Sequence, residues 1–229
     1  MWDGATMQIR HTRGVIPAAI VVMVFATTIA APRARGEDDA GEKRRILLST
    51  TMGDITLELA PDKAPITVEN FVAYVEAGYY DGTVFHRVIP NFMIQGGGLD
   101  KDLKEKAGGR PPIKNESDNG LRNKTGTVAM ARTSAPDSAT SQFFINVSDN
   151  AFLDRTEAGD GVGYTVFGKV VEGMELVEKM GSVSTTSKGV HRDVPVEPIV
   201  LISAKLLDDA GAEAAAGGEK PDGDRATAD

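Results

Sequence analysis

The stretch FHRVIPNFMIQGGG, residues 85–98, decides the fold, because it joins two short strand patterns through a turn. In residues 85–89 the apolar positions alternate, which is typical of a half-buried strand with Arg87 on one face and Val88 on the other. Pro90 and the asparagine after it supply turn chemistry. The first half of the stretch therefore predicts a strand that ends in a tight turn.

The second half of the stretch resumes the extended pattern. Alternation places Phe92 and Ile94 on one face of this strand, and it places Met93 and Gln95 on the other. Three glycines, residues 96–98, follow and permit backbone geometry that residues with a Cβ resist. We therefore expect the strand to end at these glycines.

Two later segments repeat this combination of short apolar strands with isolated polar residues. They are GTVAMAR, residues 126–132, and SQFFINV, residues 141–147. In a barrel both segments would lie next to the first stretch. A lone strand arginine such as Arg87 is more often a solvated or surface-paired cation than a functional group. The strand pattern alone therefore leaves the role of Arg87 open.

These motifs, together with VFGKV at residues 166–170, resemble those of the cyclophilins, the peptidyl-prolyl cis-trans isomerases. The resemblance covers about residues 45–206, and the phrases PIKNE and HRDVP are similar to those of bacterial members. It implies a mainly β fold, namely a closed eight-stranded antiparallel β-barrel capped by two α-helices. We therefore assign residues 45–207 to one cyclophilin-like isomerase domain.

The composition is consistent with one globular domain and excludes several classes of function. The chain has 229 residues and a net charge of −8, and this acidic balance argues against general nucleic-acid binding. Because the chain has no cysteine, disulfides and cysteine-ligated metals are excluded. No G-x-S-x-G motif is present, and only His86 and His191 lie outside the leader, which leaves little for a serine or metal hydrolase. Asp154 and Asp160 are candidates for a carboxylate pair, although a solvated turn is the commoner arrangement.

Residues 1–31 have the layout of an export signal. Arg10 and Arg13 precede an uncharged run over residues 14–31, and residues 28–30 offer a small-x-small cleavage pattern. We expect a cleaved signal peptide and a periplasmic or other extracytoplasmic location. The alternative is an uncleaved N-terminal membrane anchor, since the run is about long enough to span a bilayer.

Hydrophobic periodicity predicts the remaining elements. Residues 46–59 have the alternation of a β-hairpin, and residues 65–75 and 174–180 have the apolar stripes of two helices. Further strands are predicted at residues 127–131, 142–146, 164–170 and 199–206.

Four segments lack such periodicity. Residues 99–124 are polar and rich in glycine, and we expect an ordered loop on the surface. Residues 191–195, HRDVP, are predicted to form a turn. Residues 32–44 and the acidic Ala/Gly-rich tail at residues 208–229 have no face to bury, so we expect both to be disordered.

The resemblance also implies a set of site residues. It assigns catalysis to Arg87 and a hydrogen bond to the substrate backbone to Gln95. The implied proline pocket and groove wall consist of Phe92, Met93, Phe144, Leu153, Ala131 and the backbone of Arg132. Two positions depart from the eukaryotic members: Phe152 stands where those have a tryptophan, and Tyr164 where those have a histidine. Both substitutions occur in bacterial cyclophilins.

The implied reaction needs no covalent intermediate. Rotation about an X-Pro bond has a barrier of about 18–20 kcal/mol, which comes from amide resonance. An arginine that donates to the prolyl nitrogen stabilises the twisted amide, while an apolar slot holds the ring. We therefore expect no metal ion and no cofactor, proline-containing polypeptides as substrates, and a monomer. The alternative is a non-catalytic peptide-binding or chaperone module with the same fold.

Overall fold

The computed structural model of the chain describes residues 44–207. The expected signal or anchor at residues 1–31, the expected linker apart from Arg44, and the expected tail at residues 208–229 lie outside the described residues.

Eleven strands are present in the described part of the chain. In chain order they are β1 Arg45–Thr50, β2 Gly53–Leu59, β3 Val84–Phe85, β4 Arg87–Ile89, β5 Met93–Gly96, β6 Thr127–Met130, β7 Phe143–Asn146, β8 Val166–Glu172, β9 Thr185–Lys188, β10 His191–Pro195 and β11 Ile199–Leu207. The helices are α1 Pro65–Glu76 and α2 Met174–Gly181, with a short 3-10 helix at Ala151–Leu153. Among residues 44–207, no helix combines the length and the apolar character needed to cross a membrane.

Nine of these strands form one antiparallel sheet in the order β3-β11-β1-β2-β8-β6-β7-β5-β4. The two ends of this order, β3 and β4, are successive parts of the same extended segment and are separated only by His86. The sheet therefore returns to the segment from which it starts and forms a nearly closed barrel. When β3 and β4 are counted as one interrupted strand, the sheet has the eight strands that the resemblance implies.

The barrel interior follows from alternation along the strands. In the predicted hairpin, Ile46 and Leu48 of β1 and Ile55 and Leu57 of β2 are all fully buried in the core. Helix α1 adds Phe71, whose ring centroid lies 5.0–5.4 Å from those of three other core aromatic rings. Burial of one such side chain stabilises the fold by about 1.5–3 kcal/mol. Helix α1 is therefore held against the barrel by its predicted apolar stripe.

The long loop after β5 is ordered and supports helix α1. The first turn of α1 has no side-chain cap from its own N-cap residue, Ala64. Instead, the Glu116 carboxylate accepts hydrogen bonds from the backbone N–H of Ile66 at 3.1 Å and of Thr67 at 2.8 Å. A carboxylate at a helix N-terminus satisfies free N–H groups and complements the helix dipole. The loop therefore contributes to helix stability from a distant part of the chain.

The prediction of a turn at residues 191–195 is wrong, because these residues form β10 and pair with β9. Polar side chains hide the strand pattern, whereas Val194 and Pro195 at its end are buried. The resulting β9–β10 hairpin lies outside the main sheet, and β10 packs against β4. It therefore stands next to the strand that carries Arg87.

Candidate active site

A groove lies on the outer face of four neighbouring strands, β4, β5, β7 and β6. The strand register places Arg87 opposite Gln95, Gln95 opposite Phe144, and Phe144 opposite Ala129. Because side chains alternate along each strand, the residues directly before and after these positions in sequence point into the barrel core instead. One row of cross-strand neighbours therefore connects Arg87 with an apolar floor.

The floor of the groove is a second hydrophobic cluster, separate from the barrel core. Its buried members are Met93, Ala129, Phe144, Leu153 and Val166. The pocket above it is lined by Arg87, Phe92, Met93, Gln95, Ala131, Arg132, Phe144, Leu153 and Tyr164. The structure therefore brings nine of the ten site residues expected from the sequence around one pocket.

The face predicted for Phe92 is wrong. Phe92 lies in the turn before β5 and packs against the groove cluster, whereas Ile94 is buried in the barrel core. Asn91, just before it, has a φ of 57°, in the left-handed region. Strand alternation does not extend through such a turn, so Phe92 shares the groove with Met93.

A chain of polar side chains links Arg87 to the neighbouring strands. Arg87 Nη1 donates to Gln95 Oε1 at 3.5 Å, and Gln95 Nε2 donates to Gln142 Oε1 at 3.0 Å. Gly98 makes room for this chain, because a Cβ at that position would lie 2.4 Å from Gln142 Cγ. The glycine run therefore serves a close approach beside the site.

The residues around the 3-10 helix are held by a buried polar network. Asp154 Oδ1 accepts hydrogen bonds from the backbone and side-chain nitrogens of Asn123 at 2.6 and 3.0 Å. Asn150 Nδ2 donates to the carbonyl of Phe92 at 2.9 Å and to Asn146 Oδ1 at 2.7 Å. Buried amides and carboxylates are stable only when they are paired in this way. The network therefore fixes both Phe92 and the segment that carries Leu153.

Asp154 and Asp160 have different environments. The interpretation of both as part of a solvated turn is wrong for Asp154, which is only 5% exposed and serves the network. Asp160 instead forms an ion pair with Arg132. The hydrogen bond from Arg132, with further ones from the backbone N–H groups of Val162 and Gly163, holds the pKa of Asp160 well below its usual range. Neither carboxylate is therefore free for acid–base chemistry.

The Arg132 side chain is buried in the groove wall and makes several contacts there. Its side chain is 3% exposed, and its guanidinium lies 4.6 Å from the centroid of the Tyr164 ring. Its Nε donates to the carbonyl of Gly163 at 2.9 Å, and Nη1 donates to the carbonyl of Thr133 at 3.0 Å. The ring of Tyr164 in turn meets Phe144 edge-on at 5.8 Å. Arg132 therefore connects the wall to the apolar floor through Tyr164.

His86, beside Arg87 in the chain, is buried and neutral near pH 7. Burial lowers its pKa to about 4, with smaller contributions in the same direction from the charges of His191 and Arg87, while a hydrogen bond with the backbone of Val84 opposes them. Its Nδ1 has no hydrogen-bond partner among the described residues. Protonation of His86 therefore opposes folding.

Comparisons with known proteins identify the family to which the chain belongs. A family model described as cyclophilin type peptidyl-prolyl cis-trans isomerase matches residues 45–206 of the chain. The chain belongs to the cyclophilin family. It is therefore a peptidyl-prolyl cis-trans isomerase that acts on proline-containing peptides.

Bacterial cyclophilins are among the most similar relatives. Peptidyl-prolyl cis-trans isomerase A of Dickeya dadantii is 53% identical over 82% of this chain and 96% of its own length. Peptidyl-prolyl cis-trans isomerase B of Escherichia coli is 52% identical over 71% of this chain and 99% of its own length. A solved cyclophilin type isomerase from Cryptosporidium parvum, 24% identical, superposes with a TM-score of 0.61 over 73% of this chain and 99% of that one. This structural likeness supports the fold.

Phe152 is the predicted site residue that does not line the pocket of this cyclophilin. It is 57% exposed and stacks on Phe92, with ring centroids 5.5 Å apart and planes inclined by 27°. Its neighbour Leu153 points inward to the apolar floor. The aromatic residue that replaces tryptophan therefore lies at the rim and supports Phe92.

Three polar residues near the site were not assigned to it from the sequence. Gln142 had a usable signal, because it lies two residues before Phe144 and so on the same strand face. Asp193, which lies 3.9 Å from Arg87, and the ion-pair partner Asp160 come from distant segments whose pattern gives no sign of contact with the site. These residues are identified only once the cyclophilin fold is known.

Proposed function

We propose that the groove is the active site and that Arg87 is its catalytic residue. The observation that carries this proposal is the register of β4, β5 and β7, which places Arg87 beside Gln95 and Gln95 beside the apolar floor at Phe144. A permanently charged donor next to an apolar slot suits a substrate that has a ring and an adjacent amide. An X-Pro peptide has both features.

The chemistry follows from what limits rotation about an X-Pro bond. Resonance between the nitrogen lone pair and the carbonyl maintains the barrier of about 18–20 kcal/mol. When the bond twists, the lone pair localises on nitrogen and becomes a hydrogen-bond acceptor. An Arg87 nitrogen that donates to it interacts more strongly with the twisted state than with either planar isomer, and so lowers the barrier.

The remaining groups of the pocket hold the substrate. Phe92, Met93, Phe144 and Leu153 would contact the pyrrolidine ring. Gln95 would hydrogen-bond the substrate backbone, while Ala131 and the backbone of Arg132 line the wall along which the peptide extends. Tyr164 closes the side of the pocket, and Phe152 extends the surface at the rim. Because the pocket holds the ring, rotation about the X-Pro bond moves only the part of the peptide on the other side of that bond.

A peptide-binding or chaperone module without turnover is the competing function for this fold. Such a module needs the apolar pocket but has no use for an arginine aimed at the prolyl nitrogen. Arg87 lies opposite Gln95 on the neighbouring strand, and its Nη1 donates a hydrogen bond to Gln95 Oε1 on the groove face. This arrangement favours catalysis over binding alone.

Mapping a bound peptide tests the location of the active site. A short Ala-Pro peptide is titrated into the isotope-labelled full chain, and amide NMR shifts are followed. We expect the largest shifts in β5, β7 and residues 151–153, and exchange broadening of the proline signals of the peptide. A matched peptide with alanine in place of proline is the control. Equal shifts with both peptides, or shifts centred on another face, would contradict the assignment.

We further propose that the substrates are exported proteins and that the chain acts as a monomer outside the cytoplasmic membrane. The support is the leader pattern of residues 1–31, with its cleavage pattern at residues 28–30. N-terminal sequencing of the protein recovered from the host envelope tests this. A start shortly after Ala30 supports cleavage, whereas a start at Met1 or Met7 supports the anchor alternative. Light scattering of the mature protein at working concentration tests the monomer.

A further inference from the structure

The β9–β10 hairpin has an irregularity at the point where it meets the active site. His191 pairs with Lys188 and Val194 pairs with Thr186, so two residues of β10 oppose one residue of β9. Such a bulge bends a strand and changes the direction of a side chain. The second of these two residues is Asp193, which has a φ of 58°, in the left-handed region. Aspartate is one of the few non-glycine residues that adopt this conformation with little strain.

The bulge brings the Asp193 carboxylate to Arg87. Asp193 Oδ2 lies 3.9 Å from Arg87 Nε, and both side chains are a little under half exposed. On the other end of the same guanidinium, Nη1 donates to Gln95 Oε1. Arg87 is thus contacted at Nε from the hairpin and at Nη1 from β5. The strands that carry these two residues, β10 and β4, also pack against each other.

We propose that Asp193 is a positioning residue for Arg87, a role that rests on the proposed catalytic function of Arg87. A long arginine side chain in a half-exposed position samples many rotamers unless both ends of its guanidinium are held. The Asp193 carboxylate attracts the guanidinium from the Nε side, while Nη1 donates to Gln95 on the other side, and together these contacts favour one orientation of Arg87. Asp193 is itself outside the set of residues that line the pocket, so its charge does not compete with the substrate for the binding surface.

The positioning role of Asp193 is tested by comparing Asp193→Asn with Glu197→Gln in the full chain. Asparagine keeps the size of the side chain and tolerates the left-handed backbone, so the bulge is retained and only the charge is lost. Glu197 is an exposed carboxylate four residues further on, and its variant is a control for the same change in net charge. The readouts are kcat, KM and melting temperature on a short proline peptide. Asp193→Gly, which keeps the backbone conformation without the side chain, replaces the asparagine variant if the latter does not fold.

We expect Asp193→Asn to lower kcat/KM about two- to fivefold, the range of an exposed ion pair, with the loss in kcat and with an unchanged melting temperature. Glu197→Gln should match the parent. The ratio of parent to Asp193→Asn should shrink toward one at about 1 M KCl, because salt screens exposed charges. A purely structural role for Asp193 would instead change the melting temperature without this salt dependence.

The outcome also separates this inference from the function on which it rests. If Arg87→Ala loses activity while Asp193→Asn behaves like Glu197→Gln, the positioning role is overturned and the proposed function stands. If folded Arg87→Ala keeps near-parental activity, both proposals are overturned.

Discussion

Replacing Arg132 tests whether the groove wall depends on the contacts of the Arg132 side chain with the Tyr164 ring and with the carbonyl of Gly163. In Arg132→Ala, the stacking on Tyr164 and the hydrogen bond to the carbonyl of Gly163 are lost, together with the exposed contacts with Asp160 and Thr133. Tyr164 then keeps only its edge-on contact with Phe144 on this side of the pocket. We expect both a less stable fold and a less well-defined proline pocket.

The magnitude of the loss follows mainly from the contacts with Tyr164 and Gly163, because exposed ion pairs contribute little to stability. A partly desolvated cation–π interaction contributes about 0.5–2 kcal/mol, and a hydrogen bond from a charged donor contributes about 1.5–3 kcal/mol. Because the two contacts share one side chain, their loss should lower the free energy of unfolding by about 2–4 kcal/mol. For a domain of this size, the melting temperature should fall by roughly 5–15 °C. KM for a short proline peptide should rise several-fold, since Tyr164 loses its support.

Thermal unfolding and steady-state kinetics of four variants, Arg132→Ala, Arg132→Lys, Tyr164→Leu and the double variant Arg132→Ala/Tyr164→Leu, make this test specific. Arg132→Lys keeps the charge but loses the planar stacking and the Nε donor, so it should recover only a small part of the loss. The double variant Arg132→Ala/Tyr164→Leu should be less destabilised than the sum of its single variants, by about 0.5–2 kcal/mol. Additive effects, or a parental melting temperature and KM in Arg132→Ala, would refute the coupling between Arg132 and Tyr164.

Two further predictions concern stability against pH and the close approach at the glycine run. Because burial lowers the pKa of His86 from 6.5 to about 4, its contribution is complete above pH 6.5 and is lost as the pH falls toward 4; the free energy of unfolding should drop by up to about 3 kcal/mol over that range, and by clearly less in His86→Gln. Denaturant titrations at several pH values measure this, and equal pH profiles would exclude His86 as the cause. Gly98→Ala should displace Gln142, cost about 1–3 kcal/mol and lower kcat/KM, whereas Gly159→Ala, whose Cβ would meet nothing within 4 Å, should leave both unchanged. Equal effects of the two alanine substitutions on melting temperature and kinetics would show that the hydrogen bonds linking Gln142 through Gln95 to Arg87 do not contribute to activity.

Much of the fold and site was predictable because strand alternation is a local property. It placed Arg87, Met93 and Gln95 correctly relative to Val88 and Ile94, and the resemblance of the repeated motifs to those of cyclophilins implied the antiparallel barrel. The strand count differs only because the segment of residues 84–89 is interrupted at His86. Where the strand backbone is regular, each side chain lies on the face that the alternating sequence pattern predicts.

The failures occur where the backbone is irregular or where the contact is distant in sequence. Phe92 changes face because the turn at Asn91 precedes it, and Asp193 reaches Arg87 only through a bulge that no hydrophobic period predicts. The burial of Asp154 depends on asparagines far from it in the chain, and that of Arg132 depends on Tyr164 and the turn at Asp160. Such contacts are set by tertiary packing, so a single sequence carries no direct signal for them.

The most direct test of the catalytic account is the effect of Arg87→Ala on kcat/KM, measured together with its melting temperature. A charge-assisted hydrogen bond formed in a partly dry groove contributes about 2–4 kcal/mol at the transition state, so kcat/KM should fall about thirtyfold to a thousandfold. The melting temperature should change little, because the Arg87 side chain is nearly half exposed and exposed ion pairs contribute little to folding stability. Arg87→Lys should recover only a small part of the activity, since it keeps the charge without the planar fork. If Arg87 is a solvated strand cation instead, both variants will fold normally and stay within a few fold of the parent, and that result would contradict the mechanism.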